Sequence, residues 1–288
     1  MTLSRAGVTL VIDGRVAGPA PKLTVSGHDF VENGKRLSLA GCDGFMDYRI
    51  WIDKREAGLD PFMRESQDLG FKVRRVFMQG DASQNQVLTL WPSREPHWMR
   101  LLGPFVAYQN MHGITPLLTF TVDNQIVKSD IPHLWESAAK EVQGLSVLFS
   151  FGNELDKNDG RNGASYTDAF DPGYGIPWSR GSKTQDLFNA PMGATATEFH
   201  PVRDYNRCLM DAVASTVYMR DHGCGMLWMD EGIPWDNGMN PKDAWQLARV
   251  YSTLWALAVF HNRQGQRGQL LGPGTRDCAV AWVDGMRL

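Results

Sequence analysis

The sequence has no long run of basic residues, and its charges nearly cancel. Lysine and arginine together number 29 against 32 aspartates and glutamates, which gives a formal net charge of −3. A nucleic-acid-binding surface is built from clustered positive charge, so this composition argues against DNA or RNA as a partner. The chain also lacks any stretch of about 18 apolar residues, the length that a membrane-spanning helix requires, and we expect no membrane partner.

Cysteine is scarce and is not arranged for metal or redox chemistry. The chain has four cysteines, and no two of them have the Cys-x-x-Cys spacing of a zinc or redox site. Four cysteines in 288 residues do not make a disulfide scaffold, so we expect buried thiols. No His-x-His strand motif and no cluster of histidine with aspartate is visible either. The sequence therefore predicts neither a metal site nor a cofactor.

The N-terminus lacks the features of a secretory leader. Residues 1–18 contain no long apolar core followed by a small-residue cleavage site. The protein is therefore expected to be cytoplasmic or exported by another route. Nothing in the sequence specifies an oligomeric state.

Apolar residues, by contrast, are abundant, at 43% of the chain, which is enough for a large core. In residues 8–35, apolar and polar positions alternate, with turn signals at Asp13-Gly14 and Asn33-Gly34. This pattern is typical of short antiparallel strands. We predict that residues 1–35 form an N-terminal β-hairpin extension of a single domain that spans residues 1–288.

From residue 36 onward, apolar strands alternate with helical segments. The strands are continuously apolar, as in buried parallel sheets, and they recur at intervals of roughly 35 residues, which suits a strand–helix–strand unit. An α/β fold of the (β/α)8 class, the TIM barrel, accounts for this rhythm. The strands are predicted within residues 36–45, 72–80, 115–124, 146–154, 194–200, 225–234 and 277–285.

Two irregularities predict a barrel that is incomplete. The segment Leu155–Met192 is rich in Gly, Pro and Asp and has no helical period, and long segments of this kind often carry function. It should contain the fifth strand, which the pattern does not locate, and should pass over the barrel mouth. We interpret Pro241–Asn262 as a helix and Asp277–Gly285 as the last strand. On this interpretation, no helix follows the last strand before Leu288.

Two of the predicted strands end in a glutamate. The segment "SVLFSFGNE" ends at Asn153-Glu154, and "GMLWMDEG" contains Asp230-Glu231. In such barrels the reacting groups lie at the carboxyl ends of the strands, although a solvated strand terminus would give the same pattern. Adjacent side chains on a strand face opposite ways, so only one of Asp230 and Glu231 can point inward.

Four segments, in this order along the chain, carry a specific resemblance: "DFVENGKRLSLAGCDGF", "LGFKVRRVFM", "GNE" and "HGCGMLWMDEG". They resemble the first, second, fourth and seventh strands of the retaining (β/α)8 glycoside hydrolases that include cellulases and β-mannanases. In those enzymes the second strand carries an arginine, the fourth ends in an Asn-Glu motif, and the seventh carries a glutamate nucleophile. The resemblance extends from about Phe30 to Gly285.

This resemblance implies roles for several polar residues. Glu154 would be the general acid/base and Glu231 the nucleophile, with their carboxyl oxygens about 5–5.5 Å apart. Asn153 would hydrogen-bond the sugar 2-hydroxyl, Arg75 would lie beneath the nucleophile, and His200 would contact the sugar. The acid must stay protonated near neutral pH while the nucleophile stays ionised.

Tryptophans are the candidates for stacking on the sugar, because a sugar ring has an apolar face that packs on aromatic rings. Trp282, on the predicted last strand, would match the platform at the cleavage point in the family that the chain resembles. Trp178 and Trp235, on predicted loops, are further candidates. Glu198, near the end of another predicted strand, is a reserve acid.

These residues predict a retaining glycoside hydrolase that cleaves a β-linked polysaccharide or oligosaccharide by double displacement, with carbohydrate as its partner. The alternative is a catalytically inactive carbohydrate-binding barrel. The pair of glutamates favours the enzyme, whereas a missing fifth strand and last helix would favour the binding protein.

Overall fold

The structure is a computed structural model, and it describes only part of the chain. The described residues are 11–12, 15–16, 23–26, 29–32, 34–78, 95–120, 131–151, 172–179, 196–199, 210, 213–214, 217, 226–229, 239–254 and 256–287.

The N-terminal region forms antiparallel strands, as the alternating pattern predicts. Strands β1 (Val11–Ile12) and β2 (Arg15–Val16) pair with each other, and β3 (Thr24–Ser26), β4 (Asp29–Glu32) and β5 (Lys35–Leu37) form a three-stranded sheet.

Eight parallel strands then close into a barrel, in which each strand pairs with the next and the last pairs with the first. Closure leaves no strand edge exposed, and parallel strands that are buried on both faces are largely apolar. The (β/α)8 fold predicted from the strand–helix rhythm is thereby confirmed. In chain order the strands are β6 (Leu39–Asp43), β7 (Val73–Phe77), β8 (Thr115–Thr119), β9 (Leu148–Ser150), β10 (Trp178–Ser179), β11 (Ala196–Phe199), β12 (Met226–Met229) and β13 (Leu257–Phe260).

Helices surround the barrel. Those with described bounds are α1 (Asp47–Leu69), α2 (Trp98–Met111), α3 (Ile131–Glu141), α4 (Pro241–Leu254), α5 (Arg263–Gln266) and α6 (Pro273–Met286). Helix α1 follows β6, α2 follows β7 and α3 follows β8, as in a series of strand–helix–strand units. Among the described helices, none combines the length with the apolar content that crossing a bilayer requires.

The end of the barrel differs from the prediction. The predicted last strand, Asp277–Gly285, is wrong, because these residues lie in α6, which has Pro273 in its first turn. The true last strand, β13, lies inside the predicted helix Pro241–Asn262. All four β13 residues are buried, and a short apolar run buried on both faces has no period that separates strand from helix. The last helix, expected to be absent, is present as α6.

The fifth strand lies within Leu155–Met192, as the regular alternation of strands and helices predicts. Strand β10 pairs in parallel with β9 on one side and with β11 on the other. It has only two residues, which explains why no apolar run reveals it in the sequence.

The barrel core divides into an inner and an outer layer because side chains alternate along each strand. At the amino ends of the strands, a buried cluster contains Phe30 of β4 together with Leu39, Val73, Leu148 and Leu257. The N-terminal sheet therefore packs against this end of the barrel. The opposite end, where the strands have their carboxyl termini, is left for the site.

Candidate functional site

The two strands that precede the predicted catalytic glutamates end on the same side of the barrel. Strand β9 ends at Ser150, shortly before Glu154, and β12 ends at Met229, shortly before Glu231. Both strands run parallel to all their neighbours in one closed barrel, so their carboxyl ends share one mouth. Five predicted site residues themselves lie outside the described residues: Asn153, Glu154, His200, Glu231 and Trp235.

Arg75 is the predicted polar site residue that the structure describes. It lies on β7, is fully buried, and pairs in register with Asp43 at the end of β6. Its guanidinium carbon is 5.2 Å from the ring centroid of Phe45 and 4.9 Å from that of Phe77. The two rings stack on each other with centroids 4.0 Å apart. These contacts fix the position of the cation through cation–π attraction.

Neighbouring Arg74 faces the other way and holds helix α1 against the barrel. Its guanidinium donates to both carboxylate oxygens of Asp47, at 2.5 and 2.9 Å, and to the Ser66 hydroxyl at 2.8 Å. Both members of the ion pair are buried. Burial raises the pKa of the Asp47 carboxyl, and the charge of Arg74 opposes that rise.

Cys42 lies next to this ion pair as a neutral thiol. Its sulfur is 3.8 Å from the Ser66 hydroxyl and 3.6 Å from an Arg74 nitrogen. Burial raises the pKa of Cys42 to about 12, so the thiol stays protonated at neutral pH and is a poor nucleophile.

A contact between two polar side chains at the mouth, those of Asp43 and His261, was not predicted from the sequence. Asp43 Oδ2 accepts a 2.7 Å hydrogen bond from the backbone N–H of Asn262, and it lies 3.0 Å from His261 Nδ1. The His261 ring is 5.9 Å from the Phe45 ring, which also packs on Arg75. The sequence signal was present, since "HN" follows the apolar run "LAVF", but the assignment of this run to a helix concealed it.

The expected position of Trp282 on the last strand is wrong. Trp282 lies in α6 and is fully buried. Its ring is 5.9 Å from that of Tyr251 in α4 and 6.2 Å from that of Phe260 in β13. It therefore packs between the barrel and its outer helices, and it does not face the mouth.

The expected position of Trp178 on a loop is also wrong. Trp178 lies on β10, is 3% exposed, and has its ring 5.8 Å from that of Phe151. It belongs to a buried cluster that includes Trp98 of α2 and Trp135 of α3. Because Trp98 and Trp135 belong to helices, Trp178 packs on the outer face of the barrel. Among the described residues, the aromatic rings that pack on Arg75 are those of Phe45 and Phe77.

Comparison with sequences gives no relative. No protein-family model matches the chain, and no curated protein matches it.

Comparison with solved structures gives matches of similar fold at low sequence identity. The chain is similar to GH5_18 from Bifidobacterium longum subsp. longum, with a TM-score of 0.61 and 13% identity over 84% of this chain and 78% of that chain. It is similar to the β-mannanase of the blue mussel Mytilus edulis, with a TM-score of 0.61 and 12% identity over 91% and 96% of the two chains. It is also similar to ScGas2, with a TM-score of 0.57 and 12% identity over 91% and 69%. The fold that the sequence resemblance implied is confirmed.

Proposed function

We propose that this protein is a retaining glycoside hydrolase that acts on a β-linked oligosaccharide or polysaccharide. The observation that carries the proposal is the closed parallel barrel, in which β9 and β12, the strands that precede Glu154 and Glu231 in the sequence, end at one mouth. Two carboxyl groups that face each other across such a mouth at about 5–5.5 Å suit double displacement.

Each polar residue has a defined task in this reaction. Glu231 attacks the anomeric carbon and forms a covalent glycosyl intermediate, while Glu154 protonates the departing oxygen and then activates the water that releases the sugar. Asn153 binds the 2-hydroxyl and His200 contacts the sugar. Arg75 is a cation fixed by Phe45 and Phe77. Its role in the proposal is to keep the carboxylate of the nucleophile, Glu231, ionised, because an opposite charge favours the charged form.

Trp235 remains a candidate for stacking on the sugar. The rings of Phe45 and Phe77, each 7% exposed, offer little area of their own to a ligand, so the platform for the sugar has to come from another aromatic side chain. Trp282 and Trp178 are buried on the outer side of the barrel and take no part in binding.

β-Mannosides are the first substrates to test. Among the structural neighbours, GH5_18 from Streptomyces cattleya was solved with GlcNAc, a Glu-to-Ala variant of the Bifidobacterium protein was solved with Manβ1-4GlcNAc, and another neighbour is a β-mannanase. The structure describes a fifth strand and a last helix, so the two absences that favoured an inactive binding barrel no longer support it.

A panel of β-glycans tests the proposal. It should contain Manβ1-4GlcNAc, β-mannan, β-1,4-glucan and β-1,3-glucan, with α-linked glucan as the matched control, and released reducing ends should be measured. We expect turnover of at least one β-linked member and none of the α-linked control. Binding of a β-glycan without any release of reducing ends would instead identify a carbohydrate-binding barrel.

A further inference from the structure

A chain of three polar side chains joins the first and last barrel strands at the mouth. Asp43 ends β6, His261 directly follows β13, and Gln266 ends the short helix α5. The side chains of Asp43 and His261 are both fully buried, with His261 Nδ1 3.0 Å from Asp43 Oδ2. The amide nitrogen of Gln266 lies 2.6 Å from His261 Nε2.

With the Gln266 amide oriented as in the structure, one arrangement of protons satisfies both of these contacts of His261. The Asp43 carboxylate accepts, so His261 Nδ1 carries a proton and donates it. The amide nitrogen of Gln266 can only donate, so His261 Nε2 accepts and carries no proton. This arrangement places a proton on Nδ1 and an accepting lone pair on Nε2 of His261.

The backbone brings Gln266 close to the barrel mouth. The Asn262 side-chain oxygen accepts a 2.6 Å hydrogen bond from the backbone N–H of Gly265. A Cβ atom at Gly265 would lie 2.8 Å from the Asp43 carbonyl oxygen, so a larger residue would push α5 away. Glycine thus allows the turn that carries Gln266 to pack directly on the end of β6.

The oxygen of the Gln266 amide is left for another partner. Gln266 is half-buried, and its side-chain nitrogen makes the contacts with His261. Among the hydrogen bonds of the described residues, those of the Gln266 side chain use its nitrogen and none uses its Oε1 atom. Two rings separate Gln266 from the cation of the site, because Gln266 contacts His261, His261 packs on Phe45, and Phe45 packs on Arg75.

We propose that Gln266 is a specificity-determining residue whose amide oxygen accepts a hydrogen bond from one sugar hydroxyl, and that Asp43 and His261 are positioning residues that aim this amide at the mouth. The inference rests on the proposed function for the identity of the ligand as a sugar. A buried, hydrogen-bonded support of this kind holds a binding group within the narrow range of positions that recognition requires.

The test compares sugars that differ by single hydroxyl groups. Equilibrium dissociation constants should be measured for an oligosaccharide of the β-glycan panel and for its monodeoxy analogues, in a Glu231→Gln background that prevents hydrolysis. We expect Gln266→Ala to weaken binding of the parent sugar about tenfold, a hydrogen-bond-sized effect. One monodeoxy analogue should bind the two proteins equally, because it lacks the hydroxyl that Gln266 recognises.

Two further variants separate positioning from packing. Gln269→Ala, at an exposed position of the same loop, should bind every sugar as the parent does. Asp43→Asn keeps an oxygen that can accept from both Asn262 and His261, so it should retain the Nδ1-protonated tautomer in 15N NMR spectra and the hydroxyl preference. Asp43→Ala removes the hydrogen-bond acceptor, so it should lose both the Nδ1-protonated tautomer of His261 and the preference for one sugar hydroxyl.

The outcomes also separate this inference from the proposed function. Binding without turnover by the parent protein would disprove the hydrolase. A loss of affinity in Gln266→Ala that disappears for one monodeoxy analogue would still support the role of Gln266. The inference would be overturned if Gln266→Ala lost the same affinity for the parent sugar and for all its deoxy analogues, or lost no affinity at all. An Nε2-protonated His261 in the parent protein would also overturn it.

Discussion

Replacement of Glu231 by Gln is expected to lower turnover by several orders of magnitude while sugar binding survives. Glutamine keeps the shape of the side chain and part of its hydrogen bonding, but it cannot attack the anomeric carbon, so the covalent step is lost. Binding comes from other groups, including stacking and hydroxyl contacts. The measurement is kcat on the best β-glycan of the panel, together with the dissociation constant of the same glycan.

Asp230→Asn is the matched control for this change. Asp230 directly follows β12 and precedes Glu231, and adjacent side chains on an extended backbone face opposite ways. We expect Asp230→Asn to retain most of the activity. If Asp230→Asn lost turnover and Glu231→Gln kept full activity, Asp230 would be the nucleophile in place of Glu231.

Glu154→Gln is expected to show a dependence on the leaving group that Glu231→Gln does not show. The general acid protonates the departing oxygen, and an activated aryl leaving group needs little such help. The variant should therefore lose far more activity on a natural glycan than on an aryl glycoside. Equal losses on both substrates would contradict the role of Glu154 as the acid.

Replacement of Arg74 by Met is expected to cause the largest loss of stability, about 3–5 kcal/mol in the free energy of unfolding. Met fills a similar volume, but it leaves the carboxylate of Asp47 buried without the two hydrogen bonds that Arg74 donates. The measurement is urea unfolding at neutral pH followed by circular dichroism. The control is Arg64→Met, which breaks a more exposed ion pair with Asp60 and should cost no more than about 1 kcal/mol.

The loss caused by Arg74→Met should shrink as the pH falls. Burial already raises the pKa of Asp47 in the folded protein, and removal of the opposing charge of Arg74 raises it further. A carboxyl group with a raised folded-state pKa binds more protons when folded than when unfolded, so its contribution to stability becomes less favourable as the pH rises from the unfolded pKa through the folded one. A loss that is equal at pH 5 and pH 8 would show that Asp47 is not the group responsible.

Most of the barrel could be predicted from the sequence because its strands are buried on both faces. The segments "VRRVF" and "TPLLT", which the sequence predicts as parts of strands, form β7 and β8, and all of their residues are buried. Strand β13 was misassigned because its four buried residues begin only three positions after the last residue of α4, so one apolar stretch contains both a helix end and a strand. Strand β10 could not be located because it has only two residues, and its place is set by pairing with β9 and β11 rather than by composition.

The site was predictable only in part. The resemblance selected Arg75 from the pair Arg74-Arg75, and alternation along β7 agrees, since Arg74 contacts α1 while Arg75 contacts Phe45 and Phe77. Trp282 was misassigned together with its segment, because a tryptophan in a helix that packs on a barrel looks the same in the sequence as one at a strand end. The contact between Asp43 and His261 was not predicted, because the assignment of β13 to a helix hid the fact that His261 follows the last strand.

The most direct test of the proposed reaction is to trap its covalent intermediate. A 2-deoxy-2-fluoro glycoside of the preferred sugar, with a good leaving group, should react once and remain attached. The fluorine slows both the formation and the release of the adduct, because both transition states resemble an oxocarbenium ion, and the good leaving group offsets this effect in the formation step alone. Mass spectrometry of the digested protein is predicted to find one glycosyl group on the peptide that contains Glu231, and none in the Glu231→Gln variant. Turnover of the natural glycan without any covalent adduct, and with inversion at the anomeric carbon, would contradict the retaining mechanism.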